Sequence, residues 1–266
     1  MTGAGAQPRA PRGRTAIVTG GARRIGAAIV RALAADGWHV VIHYNSSAAE
    51  AEALAAELGG TAIGADLAAP DAGQRVMAAL DGAPPPGLLV NSAAGFDLDG
   101  FDDFTAEGWD RHMAINARAP VLLARAFADA VAASAVTDAL VVNLLDAKLV
   151  QPNPDFFSYS VSKFALAGAM ELVARLLAPR GVRVCGIAPA VTLVSGPQSG
   201  ENFDQVHRLN PLGRGVSPDD IVGALRFLVD SPAITGQTIV IDAGQRFYGL
   251  PRDVQFLDDA YLTVFR

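Results

Sequence analysis

Tyr159 and Lys163 stand four residues apart in SYSVSKFALAGAMELVARLL. The apolar residues of that run recur at helical spacing, so the phenol and the ammonium share one face about a turn apart. An ammonium beside a phenol favours the phenolate. The pair therefore predicts a Tyr159 pKa lowered from about 10 toward the working pH, and a general acid that can donate and recover a proton. The bland alternative is an exposed helix carrying an unrelated Tyr and Lys, but the chain holds four Tyr and only two Lys against nineteen Arg, which argues against coincidence. Asp146 opens the same stretch, DAKLVQPNPDFFSYSVSK, and adds a carboxylate to the group.

The elements that must position these side chains alternate along the chain. Residues 15–19 (TAIVT) read as a strand, GGARRIG as a turn and AAIVRALAADG as a helix closed by Gly37. Strands follow at 38–43, 61–65, 87–92, 139–145, 182–188 and 237–243. Helices are predicted at 47–58, near 70–81, around 106–116, at 118–133, over the Tyr159–Lys163 run and at 218–230. Fully apolar strands in regular alternation with helices predict an α/β fold: one doubly wound parallel sheet with helices on both faces. We expect a single domain over residues 15–266. The irregular stretch 189–216 falls beyond a strand's C-terminal end, where ligands bind in such folds, and reads as a substrate lid.

At the first strand–helix junction, Gly20, Gly21, Arg23, Arg24, Ile25 and Gly26 would bring backbone N–H groups and a helix N-terminus to a pyrophosphate. A dinucleotide is the expected ligand. The second strand ends in HYNSS, with Tyr44, Asn45, Ser46 and Ser47 and no acid to bind ribose hydroxyls. With Arg23 and Arg24 nearby, this end suits the 2'-phosphate of NADPH. Asp66 and Leu67 fit an adenine-contacting pair, and Asn91, Ser92 and Ala93 end the fourth strand beside the cofactor path.

Composition narrows the remaining possibilities. A net charge of -6 and a pI near 5.2 argue against a phosphate-backbone partner, so no nucleic acid is expected. No apolar run reaches membrane-spanning length, and residues 1–14, rich in Gly, Pro and Arg, read as a disordered arm. Cys185, the single cysteine, lies in the apolar run VRVCGIA as a buried thiol, which fits a reducing cytoplasm. His39, His43, His112 and His207 lack ligand spacing, so no metal is expected.

From Thr15 to Gly244 the chain resembles the short-chain dehydrogenase/reductase family, on TGGARRIG, NSAAG at 91–95, Asn116 in MAINARAP, Tyr159 with Lys163, Pro189 with Thr192, and ITGQTIVIDAG. The resemblance implies that Tyr159 donates the proton, that Lys163 holds the nicotinamide ribose, and that Asn116 anchors a water relay. It also implies that Pro189 and Thr192 close on the nicotinamide and pyrophosphate. Three positions depart from the pattern: Arg24 for the middle glycine, Ser92 for an asparagine, and Asp146 for a serine. Arg24, Asp146 and HYNSSAAEAEALAAEL resemble the pteridine reductase branch, in which an aromatic at Phe96 would sandwich a pterin against the nicotinamide. Such stacking adds about 0.5–1.5 kcal/mol beyond burial; the alternative for Phe96 is packing under the lid. Lys148, Asn153, Asp155 and Phe156 differ from that branch.

An ionised carboxylate at 146 can only accept a hydrogen bond, whereas a serine would donate one. If burial raises its pKa, Asp146 can relay a proton between Tyr159 and a ring nitrogen, as reduction of a pterin C=N bond requires. Arg24, Phe96 and Lys148 are the expected substrate contacts. Two alternatives stand: an NADPH-dependent carbonyl or imine reductase on another small molecule, anionic if Lys148 binds it, and a non-catalytic NADPH-binding module. The resemblance and the apolar helices 118–133 and 158–179 imply a homotetramer. The tail 249–266 is expected to pack on a neighbouring subunit, near its pocket.

Overall fold

The computed structural model describes residues 13–195 and 198–257. Among them, seven strands form one sheet: β1 (Thr15–Thr19), β2 (His39–Tyr44), β3 (Thr61–Gly64), β4 (Pro86–Asn91), β5 (Ala139–Leu144), β6 (Val182–Pro189) and β7 (Thr238–Ile241). All pair in parallel, in the order β3-β2-β1-β4-β5-β6-β7. The order reverses between β1 and β4, and a crevice opens there at the C-terminal ends of the strands. The expected doubly wound sheet is present, with strand ends shifted by a residue or two.

Side chains alternate along each strand, so a strand buried on both faces feeds two cores. Ile17, Val41, Leu89, Val141 and Val184 join one cluster with α5 (Ala119–Ala132) and α6 (Phe157–Leu177). Val18, Val40, Ile42, Val90 and Val142 join the other, under α1 (Arg24–Ala35), α2 (Ala48–Leu58) and α8 (Pro218–Val229). In α1, Ile29, Val30 and Leu33 lie on the buried side, and Gly37 at φ 88° ends the turn as expected.

Three elements differ from the sequence reading. The helix near 70–81 is α3 (Ala72–Met77) followed by a 3-10 turn, Ala78–Leu80. The separate helices at 106–116 and 118–133 are one continuous run: α4 (Ala106–His112), a π-helical turn Met113–Arg118, then α5. Pro120 has no N–H to give the carbonyl of Asn116, and the widened turn falls at that gap. The expected lid at 189–216 contains α7 (Gly200–Val206), whose Val206 packs with Leu209, Leu250, Val254 and Leu257 in a third cluster apart from the main cores. The tail, as far as Leu257, thus packs on its own chain. The expected N-terminal arm, apart from Gly13 and Arg14, and tail residues 258–266 lie outside the described residues.

Candidate active site

The glycine turn is built by close approach. Gly20 sits at φ 63°, and a Cβ there would lie 3.0 Å from the Ala93 Cα; one on Gly26 would fall 2.1 Å from the Gly20 carbonyl oxygen. Only glycine fits either place. Two side chains hold the turn. The Thr19 hydroxyl accepts from the N–H groups of Ser92 (3.0 Å) and Ala93 (3.1 Å), and His43 Nδ1 accepts from Gly20 N (3.3 Å). His43 Nε2 lies 3.0 Å from the Ala65 carbonyl, so the proton sits on Nε2, and burial holds the ring's pKa below its ordinary value.

The turn opens into a cleft of about 740 Å³. Gly20, Arg23, Arg24, Ile25, Gly26, Tyr44, Asn45, Ser46, Ser47, Asp66, Leu67, Ser92, Ala93, Pro189 and Thr192 line it, as do Phe96, Asp146, Lys148, Tyr159 and Lys163. Gly21, Asn91 and Asn116, also predicted, do not. Asn91 gives its amide to Asn143 Oδ1 (2.8 Å) inside the sheet. Asn116, in the π turn, accepts from Gly95 N (2.8 Å) and donates to Gly95 O (2.9 Å) and Ser162 Oγ (2.9 Å). It thus ties the loop after β4 to α6.

The two arginines expected at a 2'-phosphate already have protein partners. Arg23 pairs with Glu50 across an exposed 3.0 Å contact, and Arg24 Nη1 donates to the Val194 carbonyl (2.6 Å). Arg24 adopts φ 55°, the left-handed geometry of the glycine it replaces.

Tyr159, 6% exposed, donates its hydroxyl proton to Asp146 Oδ2 at 2.7 Å. Asp146 Oδ1 accepts from Lys148 N (2.8 Å), capping the 3-10 turn Ala147–Leu149 that follows β5. Lys163 Nζ donates to the Leu144 carbonyl (2.7 Å) and lies 5.6 Å from the centre of the Tyr159 ring. Burial raises the Asp146 pKa, against the opposing Lys148 N–H and nearby charges. The expectation that Lys163 lowers the Tyr159 pKa is overturned in this arrangement: burial, then the Asp146 carboxylate, push the phenol well above its ordinary value. Burial brings Lys163 down to about 8. The site thus holds a neutral phenol as hydrogen-bond donor, the form suited to giving a proton.

At the substrate end, Phe96 stacks on Phe156 (4.2 Å between ring centres) and meets Tyr159 edge-on (4.7 Å). Lys148, an expected substrate contact, pairs with Asp253 (3.0 Å) and donates to Asn153 Oδ1 (2.6 Å). Its partner comes from the tail, whose Leu250, Arg252, Asp253, Val254 and Gln255 line the same cleft. Sequence periodicity carries no sign of this fold-back. Another missed residue is His112, buried with Nδ1 2.6 Å from Ser158 Oγ and Nε2 accepting from Asp97 N (3.2 Å). Its place four residues before Asn116, on a helical face with it, was the available signal. Among the described residues no cluster could hold a metal, and Cys185 is buried.

A parallel sheet with a glycine turn at its switch point and a Tyr–Lys pair across the cleft defines a short-chain oxidoreductase, and the chain belongs to the short-chain dehydrogenase/reductase family. Residues 20–246 match the family profile described as enoyl-(acyl carrier protein) reductase. FolM alternative dihydrofolate reductase 1 of Brucella canis, solved in complex with NADP, is 40% identical with a TM-score of 0.84, over 91% of this chain and 97% of that one. Pteridine reductase 1 of Leishmania tarentolae is 30% identical over 92% of this chain and 98% of its own. A 3-oxoacyl-[acyl-carrier-protein] reductase of Synechocystis is 32% identical over 87% and 96%.

Proposed function

We propose that the chain is an NADPH-dependent reductase of a ring C=N bond in a dihydropterin-type substrate. The observation that carries this reading is the hydrogen bond from Tyr159 to the buried Asp146 carboxylate, at a position where the family pattern has serine. The Brucella and Leishmania proteins, by their names, support the substrate class and, for the former, the cofactor.

The residues fit a dinucleotide. A Cβ at Gly20 or Gly26 would close the turn, so backbone N–H groups alone meet a pyrophosphate there. Asn45, Ser46 and Ser47, with Arg23 and Arg24 released from Glu50 and Val194, would hold a 2'-phosphate. Asp66 and Leu67 would meet the adenine, and Tyr159 and Lys163 the ribose. When bound, the nicotinamide supplies a hydride to the substrate carbon. Tyr159 gives the proton to the ring nitrogen, so that C=N becomes CH–NH. The phenolate left behind would take a proton from the acid form of Asp146, the form that burial favours. Lys163 stabilises that transient phenolate.

The test is NADPH oxidation with dihydrobiopterin, dihydrofolate and dihydromonapterin beside ketones, quinones and imines. Turnover of a dihydropterin is expected, and Asp146→Ser should lower it while raising any ketone activity. Ketone turnover with no pterin turnover would overturn the substrate class. NADPH should bind about tenfold or more tighter than NADH, about 1.4 kcal/mol, by fluorescence titration.

One observation favours a second reading, a carbonyl or imine reductase. One face of Phe96 is covered by Phe156, the packing role that competes with a pterin sandwich. The same panel separates the two.

A further inference from the structure

The pocket-wall residues that set this chain apart from the pteridine reductase branch share a set of partners. Lys148 Nζ meets Asp253 Oδ2 (3.0 Å), and both side chains are about nine-tenths buried. Asp155 accepts from Arg252 Nε and Nη2 (2.7 to 3.0 Å) and from Asp253 N (2.7 Å). Phe156 stacks on Phe256 (6.1 Å, 27°), and Arg252 lies over the same ring. Asn153 completes the shell of Lys148. Arg252, Asp253 and Phe256 all lie in 249–257, beyond residue 246 where the family match ends.

That segment is held from both sides. Leu250, Val254 and Leu257 pack on Val206 and Leu209 of the lid. On the body, Gln151 Nε2 donates to Leu250 O. A buried ion pair stabilises little against an apolar replacement, but losing one partner strands the other charge and costs far more. The Lys148–Asp253 pair ties the segment to the cleft wall, and removing either partner would leave the other charge buried without its counter-ion. For Asp155, burial works against ionisation, but the Arg252 fork and the Asp253 N–H outweigh it and hold the carboxyl below its ordinary range.

We propose that residues 249–257 form a strap, latched across the substrate end by the Lys148–Asp253 and Arg252–Asp155 pairs, that selects the substrate. It rests on the reductase reading above for the position of the substrate. It also removes the case for an anionic substrate, because the lysine that suggested one is neutralised within the wall.

The test uses the full chain. Hydrogen–deuterium exchange of 249–257 is measured for wild type, Lys148→Met, Asp253→Asn and the swapped pair Lys148→Asp with Asp253→Lys. NADPH affinity is measured alongside, with kcat and KM for whichever member of the panel the wild type reduces. Each single variant should speed exchange of the strap and raise KM by about tenfold or more, leaving the NADPH Kd within about twofold; the swap should restore both. Unchanged exchange in both single variants overturns the latch. Faster exchange with an unchanged KM overturns the strap's role in selection. A wild type that reduces only ketones refutes the dihydropterin reading but leaves the strap to be judged on the ketone KM.

Discussion

At Asp146 a carboxylate replaces a hydroxyl, and the direction of hydrogen bonding in the site reverses with it. Tyr159 must donate to it, and burial makes the charged carboxyl expensive. Because the folded-state pKa is raised, the folded chain keeps a proton that the unfolded chain has already lost. The carboxyl's contribution to stability is therefore full below the ordinary carboxyl range and is lost as pH rises through the raised value. Asn keeps an acceptor for Lys148 N and carries no such loss. Asp146→Asn should accordingly gain in Tm relative to wild type as pH rises from the ordinary carboxyl range, about pH 4, to about pH 8, while turnover falls by ~10² to 10⁴. Thermal unfolding at the two pH values and a turnover profile check this; an unchanged rate and profile would reject the relay. The residue types of this site, and the spacing of Tyr159 and Lys163, were legible in the chain. The direction of the Tyr159 pKa was not, because it depends on how deep Asp146 is buried and which way it points. Neither follows from spacing.

At the scale of elements, the π turn shows what a helical period leaves out. Asn116 was found by its motif, but the widened turn that aims its amide at Gly95 and Ser162 arises where α4 and α5 join through Pro120. Asn116→Ala would leave the Gly95 N–H and carbonyl without their partners in a part-buried loop, at a cost of about 2–3 kcal/mol. Urea unfolding should show that loss, and Phe96, carried by the same loop, should lose its register, so KM for substrate should rise as well. A small stability loss with unchanged KM would make Asn116 a local packing residue only. The glycine turn gives a contrasting case. Arg24 holds a left-handed φ that costs a non-glycine residue about 1 kcal/mol, while its guanidinium bridges to Val194. Arg24→Gly should stabilise the fold by about 1 kcal/mol less the lost bridge, and should erode the preference for NADPH over NADH. Calorimetry and titration with both cofactors would show the two effects. The turn was readable from its glycines, but the 170-residue contact to Val194 could not be read from local sequence.

Across the whole molecule, the apolar strands and their alternation with helices made the sheet legible, because burial on both faces leaves a continuous signature. The strap left none: PRD reads as loop, and only the three-dimensional approach of Lys148 and Asp155 gives Asp253 and Arg252 their meaning. The same outward view bears on assembly. On α6, Phe164, Leu172 and Leu176 are 41%, 64% and 71% exposed at spacings that place them on one side, with Gly168 between them and open space beyond it. An apolar stripe of this length on an exposed helix is the kind of surface that another chain covers, and a helix packed on its own copy about a two-fold axis satisfies both stripes at once. At such a contact Gly168 would let the backbones approach closely. We expect a homotetramer in which this α6 contact is one of two interfaces. Light scattering at micromolar concentration should give the mass of four chains for wild type. Leu172→Glu with Leu176→Glu places buried like charges across the axis and should leave dimers held by the second interface, with circular dichroism unchanged. A monomeric wild type would contradict the assembly, and a tetrameric double variant would move the contact away from α6.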